Sequence, residues 1–225
     1  MLGFYHKFND MIRLSLICPC YKKPQRTLRA ISSVLEQDTD GWEALFIGDG
    51  CPQFESMMDD GTFSSFSEKA LHRGNEMHFM NLSQHMGFWG YQARNIGIDL
   101  ARGKYIVFLD NDDVLMPNHF SNYLSAIENT EFDMVYFDSY IEPIVSRRKS
   151  ELRYGSIGHS EIIVKTGKLK GFKQRAEYGH DWGMIEHLLR NNVLAEKSNN
   201  EPTYIVKAIG GEDSNRERLG EQGID

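Results

Sequence analysis

Three carboxylates stand almost side by side in this chain: Asp110, Asp112 and Asp113, with Asn111 among them. Carboxylates packed this closely repel one another unless water or a cation compensates them. Their hard oxygens suit Mg²⁺ or Mn²⁺, and such an ion takes its other ligands from water and from substrate phosphates. An acidic turn without a ligand is the plain alternative, and the cluster alone does not decide between the two. A further carboxylate, Asp181, precedes Trp182, Ile185, Leu188 and Leu189. By residue type it reads as the N-cap of a helix. Asp49 precedes Gly50, a pair that favours turns.

The elements around these residues follow from apolar patterning. Leu14-Ser-Leu-Ile-Cys18 reads as a buried strand stopped by Pro19. Pro24 suits the first turn of a helix, and Leu28, Ile31 and Leu35 carry that helix to about Gln37. Ala44–Ile47 and Met77–Met80 read as strands. Tyr91 to Arg102 reads as a helix with Gly103 as its stop. Tyr105–Leu109 is the clearest strand and runs straight into the acidic cluster. Phe120, Tyr123, Leu124 and Ile127 mark another helix, and Met134–Phe137 another strand. Strand and helix alternate, which predicts an α/β fold with a Rossmann-like, mostly parallel sheet flanked by helices. Ligands bind such sheets beyond the carboxyl ends of the strands. Pro19 to Tyr21, Asp49 and Asp110 to Asp113 all fall at strand ends, so one shared pocket is expected.

After about residue 140 the pattern weakens. Arg147, Arg148 and Lys149 read as a basic loop, Asp181 as the start of a helix, and Thr203 to Ile209 as a last strand. The polar stretch 210–225 reads as a mobile tail. The 225 residues, 40% of them hydrophobic, suffice for one domain with a smaller, irregular second half. A net charge of −7 argues against a nucleic-acid partner. No apolar run is long enough to span a bilayer, and Met1 to Arg13 lacks the apolar core of a signal peptide. Three cysteines, an odd number, favour reduced thiols and a cytoplasmic location. His6, His72, His78, His85, His119, His159 and His187 show no metal-ligand spacing and read as structural or surface residues. Trp42, Trp89 and Trp182 read as core, although Trp89 and Trp182 flank motifs and are also candidates to stack on a sugar.

Taken in order, the segments resemble family 2 glycosyltransferases with the GT-A fold. Phe108-Leu-Asp-Asn-Asp-Asp-Val114 with Pro117 is similar to the family's D-x-D region. Leu14 to Tyr21 resembles its opening strand and P-x-Y turn, and Ser33-Val-Leu-Glu-Gln37 the end of its first helix. Phe46-Ile-Gly-Asp-Gly50 resembles its V-D-D-G turn, and Ala93-Arg-Asn-Ile-Gly97 with Ala101-Arg-Gly-Lys-Tyr105 the segments before the acidic motif. Gly179-His-Asp-Trp182 resembles its E-D-W region. Each match is weak alone, but six in order over roughly residues 13–190 form a strong signal.

The resemblance implies a single domain over 1–225, with a nucleotide-binding half at about 13–115 and an acceptor-side half at about 116–209. It implies an inverting transfer of sugar from a nucleotide diphosphate donor, usually a UDP-sugar, to a hydroxyl of a glycan or lipid-linked acceptor. Pro19, Tyr21, Asp49, Arg94 and Asp110 become nucleotide-binding residues, with Tyr21 on the base, Asp49 bonded to it and Asp110 at the ribose. Arg94 reads equally well as a solvated helix residue. Asp112 matches the ligand of a divalent cation, Mn²⁺ or Mg²⁺, with Asp113 as a second candidate. Asp181 becomes the general base. A peripheral membrane contact is left open.

Three departures stand against this pattern. Gly48 replaces the first acid of the D-D-G turn, His180 stands where an acid usually precedes the base, and the segment after residue 190 is short. They leave a non-catalytic nucleotide-sugar-binding protein as the alternative. A sugar nucleotidyltransferase ranks lower, because the turn Pro19-Cys-Tyr-Lys-Lys-Pro24 lacks a glycine-rich phosphate loop.

Overall fold

The computed structural model describes residues 12–142 and 146–207. The stretch read as a mobile tail, His6, and the last two residues of the strand expected to end at Ile209 lie outside them. In chain order the elements are β1 (Leu14–Cys20), α1 (Pro24–Leu35), β2 (Trp42–Gly48), α2 (Pro52–Asp59), α3 (Ser64–His72) and β3 (Glu76–Asn81). Next come α4 (Tyr91–Leu100), β4 (Tyr105–Phe108), β5 (Val114–Leu115), α5 (His119–Ile127), β6 (Met134–Tyr136) and β7 (Ser139–Glu142). The remainder are β8 (Ser146–Arg148), β9 (Ile162–Lys165), α6 (His180–Arg190), β10 (Ala195–Lys197) and β11 (Tyr204–Lys207).

A seven-stranded sheet runs β10-β6-β9-β4-β1-β2-β3. Neighbouring pairs are parallel except that β9 runs antiparallel between β4 and β6. Strands covered on both faces read as continuous apolar runs, and β1 is buried at every position. Its side chains alternate between the two faces. Leu14, Leu16 and Cys18 join one core with Ala30, Ile31 and Val34 of α1 and Phe120, Tyr123 and Leu124 of α5. Ile17 joins the other with Ala93 of α4 and Met184, Ile185 and Leu188 of α6. The result is three layers, helix on sheet on helix. Gly97 of α4 permits close packing there, since a Cβ at that position would lie 2.4 Å from Ile17 Cγ2.

A smaller sheet, β5-β11-β7-β8, stands beside the main one. It corrects the reading of Arg147 and Arg148 as loop residues. Both lie in β8, and Arg147 Nε donates to Asp138 at 2.8 Å. Asp181 is also not a helix cap. The N-cap of α6 is Gly179 in the left-handed region, with no side-chain cap bond, and Asp181 is the second residue of the first turn. Its carboxylate is thereby left to face elsewhere.

Candidate active site

The carboxyl ends of β1, β2 and β4 open onto one cavity of about 480 Å³, within the range of ligand pockets. Pro19, Tyr21, Asp49, Arg94, Asp110, Asp112 and Asp181 all line it. Segments far apart in sequence meet there because parallel strands end on the same edge. Asp113 does not line it. It is buried, and the Tyr204 hydroxyl donates to its Oδ2 at 2.6 Å. The same hydroxyl accepts from the Asp110 amide at 3.2 Å. Asp113 therefore ties the acidic turn to β11 and is turned from the position that a cation ligand on the cavity wall would need.

The corner at Asp49 is built by the chain itself. Asp49 is buried, and its carboxylate accepts from the amides of Met86 and Gly87, each at 3.0 Å. Gly50 takes φ +60°, and a Cβ there would lie 2.1 Å from the Gln84 carbonyl carbon, so only glycine fits. His85 packs on the same corner, 3.0 Å from Asp49 Oδ2 and stacked on Tyr21 at 3.9 Å between ring centroids. One face of Tyr21 is thus already covered by a histidine that sequence reasoning set aside. Gly48, the departure from the D-D-G turn, also has a physical reason. A Cβ on it would lie 2.2 Å from Asn81 Oδ1, and that oxygen accepts from the Cys51 amide at 3.0 Å. Asn81 fills the space an acid would occupy.

Arg94 is not a solvated helix residue. Its side chain is 4% exposed. Nη2 donates to Asp110 Oδ1 at 2.6 Å and Nη1 to the Trp89 carbonyl at 2.5 Å. Asp112 faces two cations, Lys23 Nζ at 3.1 Å and Arg26 Nη1 at 3.7 Å. Lys22 and Lys23 both adopt left-handed backbone before α1, with φ near 52° and 51°. Such conformations are costly and concentrate at functional sites. Asp110 and Asp112 present hard oxygen donors to the cavity, so the donor set fits a divalent cation. Lys23 and Arg26 add positive charge beside the same position.

Across the cavity, Asp181 Oδ1 meets two imidazoles. His159 Nδ1 contacts it directly, and His180 Nε2 lies 3.3 Å away. Burial pushes the Asp181 carboxyl up, but His159, Arg94 and His180 outweigh burial and hold it well below the usual carboxylate range. Burial and the neighbouring His159 push His180 down to about 4, so it is neutral near pH 7. Trp89, 44% exposed, lies parallel to His180 with ring centroids 6.0 Å apart. It is a rim residue, not core. His159 was not legible as part of this site, because its partner lies 22 positions later and no spacing rule joins them.

The sequence profile of glycosyl transferase family 2 matches residues 15–187, most of the chain. The chain belongs to this family. Two relatives are an uncharacterized glycosyltransferase of Rickettsia bellii (strain RML369-C) and the Escherichia coli protein WfgD. The first is 30% identical over 120 residues, 53% of this chain and 16% of that protein. The second, named UDP-Glc:alpha-D-GlcNAc-diphosphoundecaprenol beta-1,3-glucosyltransferase, is 26% identical over 197 residues, 83% of this chain and 73% of that protein. The fold is that of Staphylococcus aureus TarS 1-349 in complex with UDP-GlcNAc, with a TM-score of 0.69 at 15% identity. That match covers 89% of this chain and 60% of TarS 1-349. The chain thus spans well under two thirds of the Rickettsia bellii relative. Among the described residues no helix is long and apolar enough to cross a membrane.

Proposed function

We propose that this protein is an inverting glycosyltransferase that moves a sugar from a UDP-sugar to a hydroxyl of a lipid-linked or glycan acceptor. The observation that carries the reading is the single cavity with Asp110 and Asp112 on one wall, the Tyr21–Asp49 corner beside them, and Asp181 on another wall. Family membership and the printed activity of WfgD, which names a UDP-sugar donor and a lipid-linked acceptor, support the same choice.

The roles follow from position. Tyr21 and the Asp49 corner receive the base, and Asp110, fixed by Arg94, receives the ribose. Asp112 would hold a divalent cation, and that ion would supply positive charge against the diphosphate of the donor. Lys23 and Arg26 face the same charge from the protein side. Asp181 accepts the proton of the acceptor hydroxyl while that oxygen attacks the anomeric carbon. A single in-line displacement inverts the anomeric centre.

Calorimetric titration with UDP, with and without Mn²⁺, tests the donor side. Mn²⁺ is expected to tighten UDP binding at least tenfold in the wild type and not in Asp112→Asn. Equal UDP affinity with and without Mn²⁺ would remove the proposed role of Asp112.

A further inference from the structure

His159 is buried at the bottom of the Asp181 wall, and three contacts fix its ring. Phe108, the last residue of β4, packs against it with ring centroids 5.4 Å apart. The Gln174 side-chain amide meets its Nε2, and Gln174 is anchored in turn by Asn95, whose Oδ1 accepts from the Gln174 backbone N–H at 2.7 Å. The turn carrying His159 is pinned by Glu161, which accepts from the Gly158 amide at 2.8 Å and from the Ser139 hydroxyl at 2.6 Å. With Nε2 closed off by Gln174, the nitrogen left to His159 is Nδ1, and it points at Asp181 Oδ1.

The two oxygens of Asp181 therefore have different surroundings. His159 and His180 both address Oδ1. Oδ2 looks over Gly158, where even a Cβ would only reach 3.5 Å. One oxygen is held and the other is left for a ligand, while the side chain as a whole stays 42% exposed to the cavity. His159 itself, 3% exposed, is too enclosed to touch an acceptor.

We propose that His159 is the positioning residue for Asp181, orienting the carboxylate through Oδ1 so that Oδ2 faces the acceptor hydroxyl. This rests on the assignment of Asp181 as base. The other groups facing Asp181 are His180 on α6, Arg94 on α4 and Asp110 beyond β4, with Glu161 bonded to the amide of Gly158 nearby. Arg94 favours the ionised carboxylate and Asp110 opposes it, and the ring of His159 is the contact on Oδ1 that a single substitution removes.

Two variants of the full chain test this. His159→Leu removes both the bond and the imidazole, while His159→Asn keeps an N–H donor near the Nδ1 position. The first readout needs no turnover: the Asp181 carboxyl carbon is titrated by NMR. The wild-type group is expected to stay ionised below the ordinary carboxylate range. His159→Leu is expected to raise its midpoint by at least one pH unit, and His159→Asn by less. The second readout is UDP-glucose turnover. His159→Leu is expected to lower kcat on the order of 10²-fold, the scale of a misplaced reacting group, with the donor KM unchanged and partial recovery in His159→Asn. A carboxyl midpoint that does not move in either variant overturns the proposal, as does a loss confined to KM. Should His159→Leu fail to fold, the titration of His159→Asn decides alone. Should the wild type turn over no donor, the transferase reading fails, and the carboxyl titration still decides the role of His159.

Discussion

Asp110 and Asp112 stand two residues apart, yet their removal has different consequences, because their cationic partners are buried to different degrees. Arg94, the partner of Asp110, is 4% exposed and cannot shed its charge. Among the described residues its Nε has no hydrogen-bond partner. In Asp110→Ala its Nη2 loses the 2.6 Å bond as well, while the bond from Nη1 to the Trp89 carbonyl remains. Breaking a buried ion pair by deleting one member costs about 3–5 kcal/mol. Asp110 borders the cavity with its side chain 47% exposed, so water entering its place favours the low end, about 3 kcal/mol. For a domain of this size each kcal/mol moves Tm by about 2–4 °C, which gives a loss of about 6–12 °C. Asp112 is paired with Lys23 and Arg26, each about a quarter exposed. A pair of this kind contributes about 0–1 kcal/mol, so Asp112→Ala is expected to move Tm by less than about 4 °C. Thermal unfolding without nucleotide or added metal reads both. Equal shifts for the two variants, or a larger one for Asp112→Ala, would refute the argument that Arg94 is a buried charge held by Asp110.

Three further outcomes follow from named contacts. Asp49→Asn sets an amide N–H₂ against one of the Met86 and Gly87 amides, and loosening that corner is expected to weaken UDP binding about tenfold in calorimetry. Gly97→Ala forces a methyl onto Ile17 and is expected to destabilise the protein by about 1–3 kcal/mol in urea unfolding. His119 is fully buried and its pKa is pushed down by burial to about 3. The unfolded chain takes up that proton below about pH 6.5 and the folded one does not, so stability present above pH 6.5 is lost as pH falls toward 3. The slope is about 1.4 kcal/mol per pH unit, and unfolding measured from pH 6.5 to 5 should lose less in His119→Gln than in the wild type.

The half of the fold built from β1, α1, β2, α4 and β4 was legible because each strand is a short apolar run and each helix has a periodic face. The segment 52–72 was not, since α2 and α3 bury only Phe54 and Ala70 among their residues and carry little periodic signal. Strand β9 was missed because Ile162-Ile-Val164 is a three-residue run in a polar stretch, too short to read without its neighbours β4 and β6. At the site, Pro19, Tyr21, Asp49, Asp110 and Asp112 line the cavity because they lie next to strand ends, whereas Asp113 turns toward Tyr204. A run of three acids does not reveal which one turns inward. His85 and His159 were set aside because each is recruited by a distant partner, Tyr21 with Asp49 in one case and Asp181 in the other.

The most direct test of sugar transfer with Asp181 as base is UDP release from UDP-sugars in the presence of Mn²⁺ and a lipid-diphosphate-linked sugar acceptor, comparing the wild type with Asp181→Asn. If Asp181 is the base of a sugar transfer in this cavity, release depends on acceptor in the wild type, kcat falls by at least about 10²-fold in Asp181→Asn, and UDP affinity in that variant is unchanged. Turnover in Asp181→Asn equal to that of the wild type would contradict that role.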